Sequence, residues 1–312
     1  MMKKIRNIKY YIYILIAGCL WGTMSIFVKA LQACGSNAFY TSFLRMFFSL
    51  IILLAVTLVK EGIHAFRVDR KTIAACVLLG VFTQAVFNIA YSMAVSRIGA
   101  VISAVLLYSA PVFTSIFSRM IFKEKLNGRK CAALLVNIAG CILTATGGHF
   151  GEMSLETMGV LIGVSAGFFY SLSAVFGRMT TGGASPLVVT AYNFFFATAA
   201  LGISVRPWNT VSAPFSGNMM LGGILYALVS TAFAYVLYFT GVQHIKETSK
   251  IPVIASVETV SATVIGIFLF HEKLGAGSLA GIVLVLSSIA VMNGQGRGPT
   301  SDKRRVSQPR PY

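Results

Sequence analysis

Blocks of about twenty mostly apolar residues alternate with short polar connectors along nearly the whole chain. They run from Tyr11 to Val28, Ala38 to Val59, Thr72 to Val95, Gly99 to Phe122, Lys130 to Gly147, Thr157 to Gly177, Ala184 to Val205, Asn218 to Val242, Ser249 to Phe270 and Ala276 to Asn293. A helix of about 20 residues crosses the hydrocarbon core of a bilayer. The pattern therefore predicts ten transmembrane helices with no room for a soluble domain between them. The first block is too long for the apolar core of a signal peptide, and Lys29 follows it rather than a small-residue cleavage site.

The blocks repeat. Gly99 to Leu126, GAVISAVLLYSAPVFTSIFSRMIFKEKL, returns in altered form as Lys250 to Leu274, KIPVIASVETVSATVIGIFLFHEKL. Matching Glu124 to Glu272 pairs Ala110 with Glu258 and Pro111 with Thr259. Upstream, Tyr91, Val95 and Ile98 match Tyr238, Val242 and Ile245, with one residue of slippage. Further back, Ala17 to Leu31 lies over Ala166 to Thr180, so that Trp21 matches Tyr170, Phe27 matches Phe176 and Lys29 matches Arg178. One half of about 150 residues is written twice. The expected domains are 1–150 and 151–295, with a tail over 296–312. Five helices per half is an odd number, so the halves insert with opposite orientation, an arrangement common in secondary transporters.

Composition sharpens this reading. The 312 residues are 56% hydrophobic and 11% charged, with mean hydropathy +0.78. Soluble chains carry about 25% charged residues. The net charge of +17 raises nucleic acid as a partner. Its placement in connectors and tail, without a basic face or a nucleic-acid motif, argues against that. The cations crowd one side: Lys3, Lys4, Arg6 and Lys9; Lys60, Arg67, Arg70 and Lys71; Lys123, Lys125, Arg129 and Lys130; Arg178; Lys246 and Lys250; and the tail. The other side holds Lys29, Arg97, Arg206 and Lys273. The positive-inside rule then places both termini in the cytoplasm. The basic, proline-containing tail reads as a disordered anchor at the cytoplasmic leaflet.

Candidate chemistry lies in polar groups at membrane depth, where a charge is costly and usually faces a cavity or a partner. Glu258 is the only carboxylate near the middle of a predicted helix, roughly 15 Å from its cytoplasmic end. It reads either as a structural partner, for Arg45 or for a neighbouring helix, or as a group that binds a substrate amine or carries a proton. Arg45 in helix two either fixes that helix or meets an anion; Lys29 is an interfacial anchor or an anion ligand. Gln84, Asn88 and Tyr91 share one face of helix three, and Thr231, Tyr235 and Tyr238 occupy the matching places in helix eight. Matched polar stripes in two repeats predict two walls of one cavity. Trp21, Tyr108, Tyr170, Tyr192 and Asn193 are expected around it. Pro111 and Pro252 interrupt helices four and nine, and broken helices free backbone groups for a ligand.

Other chemistry is poorly supplied. The five cysteines are scattered, without a C-x-x-C, and the four histidines lie at helix margins, so neither a metal site nor a cofactor is expected. An enzyme would need a nucleophile beside a base. Gly140, Gly147 and Gly281 in helices five and ten suit close packing, within the chain or against a second copy in a homodimer.

Two five-helix halves, LWG in helix one, an arginine in helix two, SAPVF followed by an E-K-L exit and a second such helix with glutamate together resemble the EamA-type family of the drug/metabolite transporter superfamily. The resemblance covers residues 10–294. It implies a ten-helix basket with a central cavity and with helices five and ten peripheral. It also implies export or exchange of small metabolites, amino acids or drug-like compounds, at the cell membrane (the cytoplasmic membrane of a bacterium) without ATP hydrolysis. The alternative is a carrier of phosphorylated metabolites or lipid-linked sugars, using Arg45 and Lys29. The chain departs from the family where Thr259, rather than proline, follows Glu258.

Overall fold

A computed structural model describes residues 2–149, 156–212, 216–271 and 275–293. The second Glu-Lys-Leu exit at Glu272 to Leu274 and the tail 296–312 lie outside them. Among the described residues there are ten helices and no strand: α1 (Ile8–Ala33), α2 (Ala38–Glu61), α3 (70–98), α4 (100–122), α5 (Gly128–Thr146), α6 (Thr157–Met179), α7 (Pro186–Val205), α8 (Gly217–His244), α9 (Thr248–Phe270) and α10 (Ala276–Asn293). Large apolar side chains such as Ile203, Leu221 and Phe268 stay exposed on the outer face, as a protein solvated by lipid requires.

Local chemistry sets the helix ends. Asn37, Asp69, Asn127 and Ser185 cap the starts of α2, α3, α5 and α7 with side-chain oxygens that accept backbone N–H groups. Asp69 also accepts from the Thr72 hydroxyl, and these bonds hold its carboxyl below the usual carboxylate range. α3 and α4 form one continuous apolar run that the chain splits at Gly99, whose φ of 80° suits glycine.

The breaks fall elsewhere than at the two prolines. α4 is interrupted at Tyr108–Ser109, and Pro111 stands in the first turn of the next segment (Ala110–Phe122), where a missing N–H costs nothing. α9 is interrupted at Ser256, one turn after Pro252. α1 has a further break at Thr23, whose hydroxyl bonds to the Leu20 carbonyl oxygen.

The two halves repeat each other in detail. Wide π-helical turns occupy Leu79–Val86 in α3 and Ala227–Phe233 in α8. Lys123 and His271, at the exits of α4 and α9, both adopt left-handed backbone with φ of 54°. The halves also interlock reciprocally. Gly18 of α1 lies so close to the α9 break that a Cβ there would stand 2.7 Å from the Ala255 carbonyl oxygen. Its sequence match Gly167 of α6 lies against the α4 break, where a Cβ would stand 3.0 Å from the Leu106 carbonyl oxygen. α5 and α10 pack as a pair, and a Cβ on Gly281 would stand 2.7 Å from the Gly140 carbonyl oxygen. The glycine stripe of these helices is thus used within the chain.

Candidate functional site

Both helix breaks face a central cavity of about 170 Å³ between the halves. Trp21 and Met24 of α1, Arg45 of α2, Phe87 and Tyr91 of α3, and Leu107, Tyr108 and Pro111 of α4 form part of its lining. Asn137 of α5, Tyr170 of α6, Tyr235 of α8 and Pro252, Ala255, Ser256, Glu258 and Thr259 of α9 line it as well. The aromatic wall is itself packed. Trp21 lies with its ring centroid 5.1 Å from those of Tyr235 and Tyr238, and Phe87 lies 5.3 Å from Tyr170.

Arg45 and Glu258 bring opposite charges to this one space. Arg45 is buried, and its Nη2 donates to Asn88 Oδ1 at 3.2 Å. Its Nη1 meets no acceptor among the described residues, nor does Trp21 Nε1. The Glu258 carboxylate makes no hydrogen bond and no ion pair among the described residues. Its counterpart in the first half, Ala110, also lines the cavity, so the repeat is chemically one-sided here. Buried polar groups ordinarily find partners, so unpaired ones around a cavity point to a polar ligand or water.

Of the residues expected at the site, Trp21, Arg45, Tyr91, Tyr108, Tyr170, Tyr235 and Glu258 line the cavity together. Gln84 and Asn88 stand one layer behind. Asn88 Nδ2 donates to the Gln84 carbonyl oxygen at 2.7 Å, and Gln84 Nε2 donates to the Tyr235 hydroxyl at 3.0 Å. Three others lie away from the lining. Thr231 donates to the Tyr226 carbonyl oxygen five residues back, a bond that belongs to the π-helical turn. Asn193 is fully buried beside Gly80, and the Tyr192 hydroxyl donates to the Phe66 carbonyl oxygen at 2.8 Å. Lys29 lies outside the central cavity, with its ammonium 3.4 Å from the Phe270 ring centroid. Asn137 and Ser256 escaped the sequence reading. Asn137 Nδ2 donates to Ser256 Oγ at 2.6 Å and to Ser288 Oγ at 3.0 Å, tying α5 and α10 to the α9 break.

Charged groups gather at one end of the bundle, where α4, α6 and α8 finish and α5 and α9 begin. Arg178 of α6 is bound to Glu124, which follows α4, and Glu247 pairs with Lys130 at 3.0 Å and with Lys250 at 3.1 Å. Partial burial pushes the Glu247 carboxyl up, but the two ammonium groups outweigh it and hold the group below its ordinary range.

A ten-helix basket of two inverted halves, with converging polar groups at its centre, defines a membrane transporter fold. The EamA-like transporter family model matches residues 8–146 and 157–294, and the chain belongs to that family. A transporter described as uncharacterized from Archaeoglobus fulgidus is 28% identical over 89% of this chain and 94% of its own length. Another from Clostridium kluyveri is 23% identical over 96% of this chain and 97% of its own. A solved crystal structure superposes with TM-score 0.76 at 16% identity, covering 91% of this chain and 96% of that one, which shows the shared fold.

Proposed function

We propose that this membrane protein is a secondary transporter that exports or exchanges small amphoteric metabolites, amino-acid-like compounds above all, by alternating access. One observation carries the reading: Arg45 and Glu258 line a single aromatic-walled cavity without forming an ion pair with each other. A substrate carboxylate suits the free face of the Arg45 guanidinium. A substrate ammonium suits the Glu258 carboxylate and the rings around it. When no ammonium is bound, the same carboxylate is the group that takes a proton, which couples export to a proton gradient. Bacterial and archaeal relatives support a place in the cytoplasmic membrane. A carrier of phosphorylated compounds is less well supported, because Arg45 is the only lysine or arginine in the cavity lining.

The test is counterflow and accumulation of an amino acid and metabolite panel in proteoliposomes, with and without a pH gradient, for the wild type and Glu258→Gln. Gradient-driven accumulation that the variant loses while it keeps exchange is the expected result. Equal accumulation by both proteins would remove the proton role from Glu258.

A further inference from the structure

The central cavity closes toward the cytoplasm. Ala110, Pro252 and Ala255, which line it there, also border a second void of about 10 Å³ that reaches Thr114 and Ala174. A void of that size has room for about one water.

Beyond this constriction stands Glu124. Its side chain is 6% exposed, and among the described residues it binds only groups of the second half. The Arg178 guanidinium donates to it, as do the Thr248 N–H at 2.6 Å, the Ser249 N–H at 3.2 Å and the Ser249 hydroxyl at 2.9 Å. Arg178 donates in addition to the Thr248 hydroxyl at 2.6 Å and lies 4.2 Å from the Phe122 ring centroid. Thr248 and Ser249 begin α9, one turn before Pro252 at the constriction. A single carboxylate thus joins the end of α4 to the end of α6 and the start of α9.

We propose that Glu124 is the cytoplasmic gate of the transport cycle, a positioning residue whose bonds to Arg178, Thr248 and Ser249 must break before the cavity opens inward. The strength of the gate comes from charge. Hydrogen bonds to an ionised group are stronger than neutral ones, and removing one member of a buried pair leaves the other uncompensated. The bonds are also the ones that inward opening has to break, since α4 lies in one repeat and α6 and α9 in the other. The opposite end repeats the cation-on-aromatic contact, with Lys29 over Phe270 in place of Arg178 over Phe122. The same geometry thus recurs where outward opening takes place.

The inference rests on the alternating-access reading, and its test needs no substrate. Ala255→Cys is placed in a background freed of the five native cysteines. A membrane-impermeant maleimide is then applied from the cytoplasmic side in inside-out vesicles. Glu124→Gln is expected to raise the labelling rate about tenfold, Ser249→Ala a few-fold, and the charge-retaining Glu124→Asp least of all. Unchanged labelling in folded Glu124→Gln overturns the proposal. If that variant does not fold, unchanged labelling in Ser249→Ala overturns it instead. A shift in labelling supports the gate even if every substrate tried is refused, so failure of the transport reading stays distinguishable.

Discussion

The Gln84 side chain donates to the Tyr235 hydroxyl across 3.0 Å, joining the π-helical turn of α3 to the helix that matches it in the other half. Tyr235 is wedged between Trp21 and Phe194, each with ring centroid 5.1 Å away, so the hydroxyl has little freedom to seek another partner. Tyr235→Phe leaves the Gln84 amide without its acceptor. The expected cost is about 1–3 kcal/mol, the penalty of an unpaired buried polar group. A lower melting temperature in detergent, with Gln84→Met/Tyr235→Phe recovering part of the loss, checks it.

Arg45 has a different dependence. Its shape matters as well as its charge, because one nitrogen is held by Asn88 while the other is unpaired. Arg45→Lys keeps the charge and loses the planar fork. The expected result is a rise in substrate KM of about tenfold or more with a smaller change in maximal rate. Equal KM values in initial-rate uptake would remove Arg45 from the substrate contacts.

The close glycine contacts separate stability from transport. A Cβ on Gly281 would meet the α5 backbone in the static pair, and Gly281→Val is expected to cost about 1–3 kcal/mol through overpacking. KM is expected to hold. A Cβ on Gly18 would meet the α9 break beside Glu258. Gly18→Val is expected to abolish transport even in the protein that survives gel filtration. Thermal melts together with uptake rates distinguish the two.

Acid weakens the cluster of charges around Glu247. The folded Glu247 carboxyl titrates below its ordinary value of 4.5, so its contribution is fully present above that pH and is lost as pH falls through the lower folded value. Glu247 is 42% exposed, so each pair contributes about 0–1 kcal/mol and is screened by salt. The melting temperatures of the wild type and Glu247→Gln are expected to differ at pH 7 and converge as pH drops toward 3, measured in about 0.1 M salt.

Much of this architecture was written in the apolar blocks. Their lengths and their repetition gave ten spans and two halves, because a bilayer enforces both helix length and internal hydrogen bonding. The lone mid-helix carboxylate and the arginine of α2 led to the cavity because charge at that depth is rare. The exact breaks were not legible: proline marks the chain locally, whereas Ser109 and Ser256 depart from helix where α1 and α6 press against them. Asn193 and Thr231 share their polarity with the cavity residues, and only packing decides which way such a side chain faces. Asn137 carried no signal, since its partners Ser256 and Ser288 are remote in sequence.

The two π-helical turns, Leu79–Val86 and Ala227–Phe233, begin the same interval apart as Glu124 and Glu272. Each such turn carries a surplus backbone residue within an otherwise regular helix. The surplus therefore sits at the same turn of the same helix in both copies, as a feature of the shared repeat rather than of either half alone. Glu258 facing Ala110 is the point at which the two copies no longer share their chemistry.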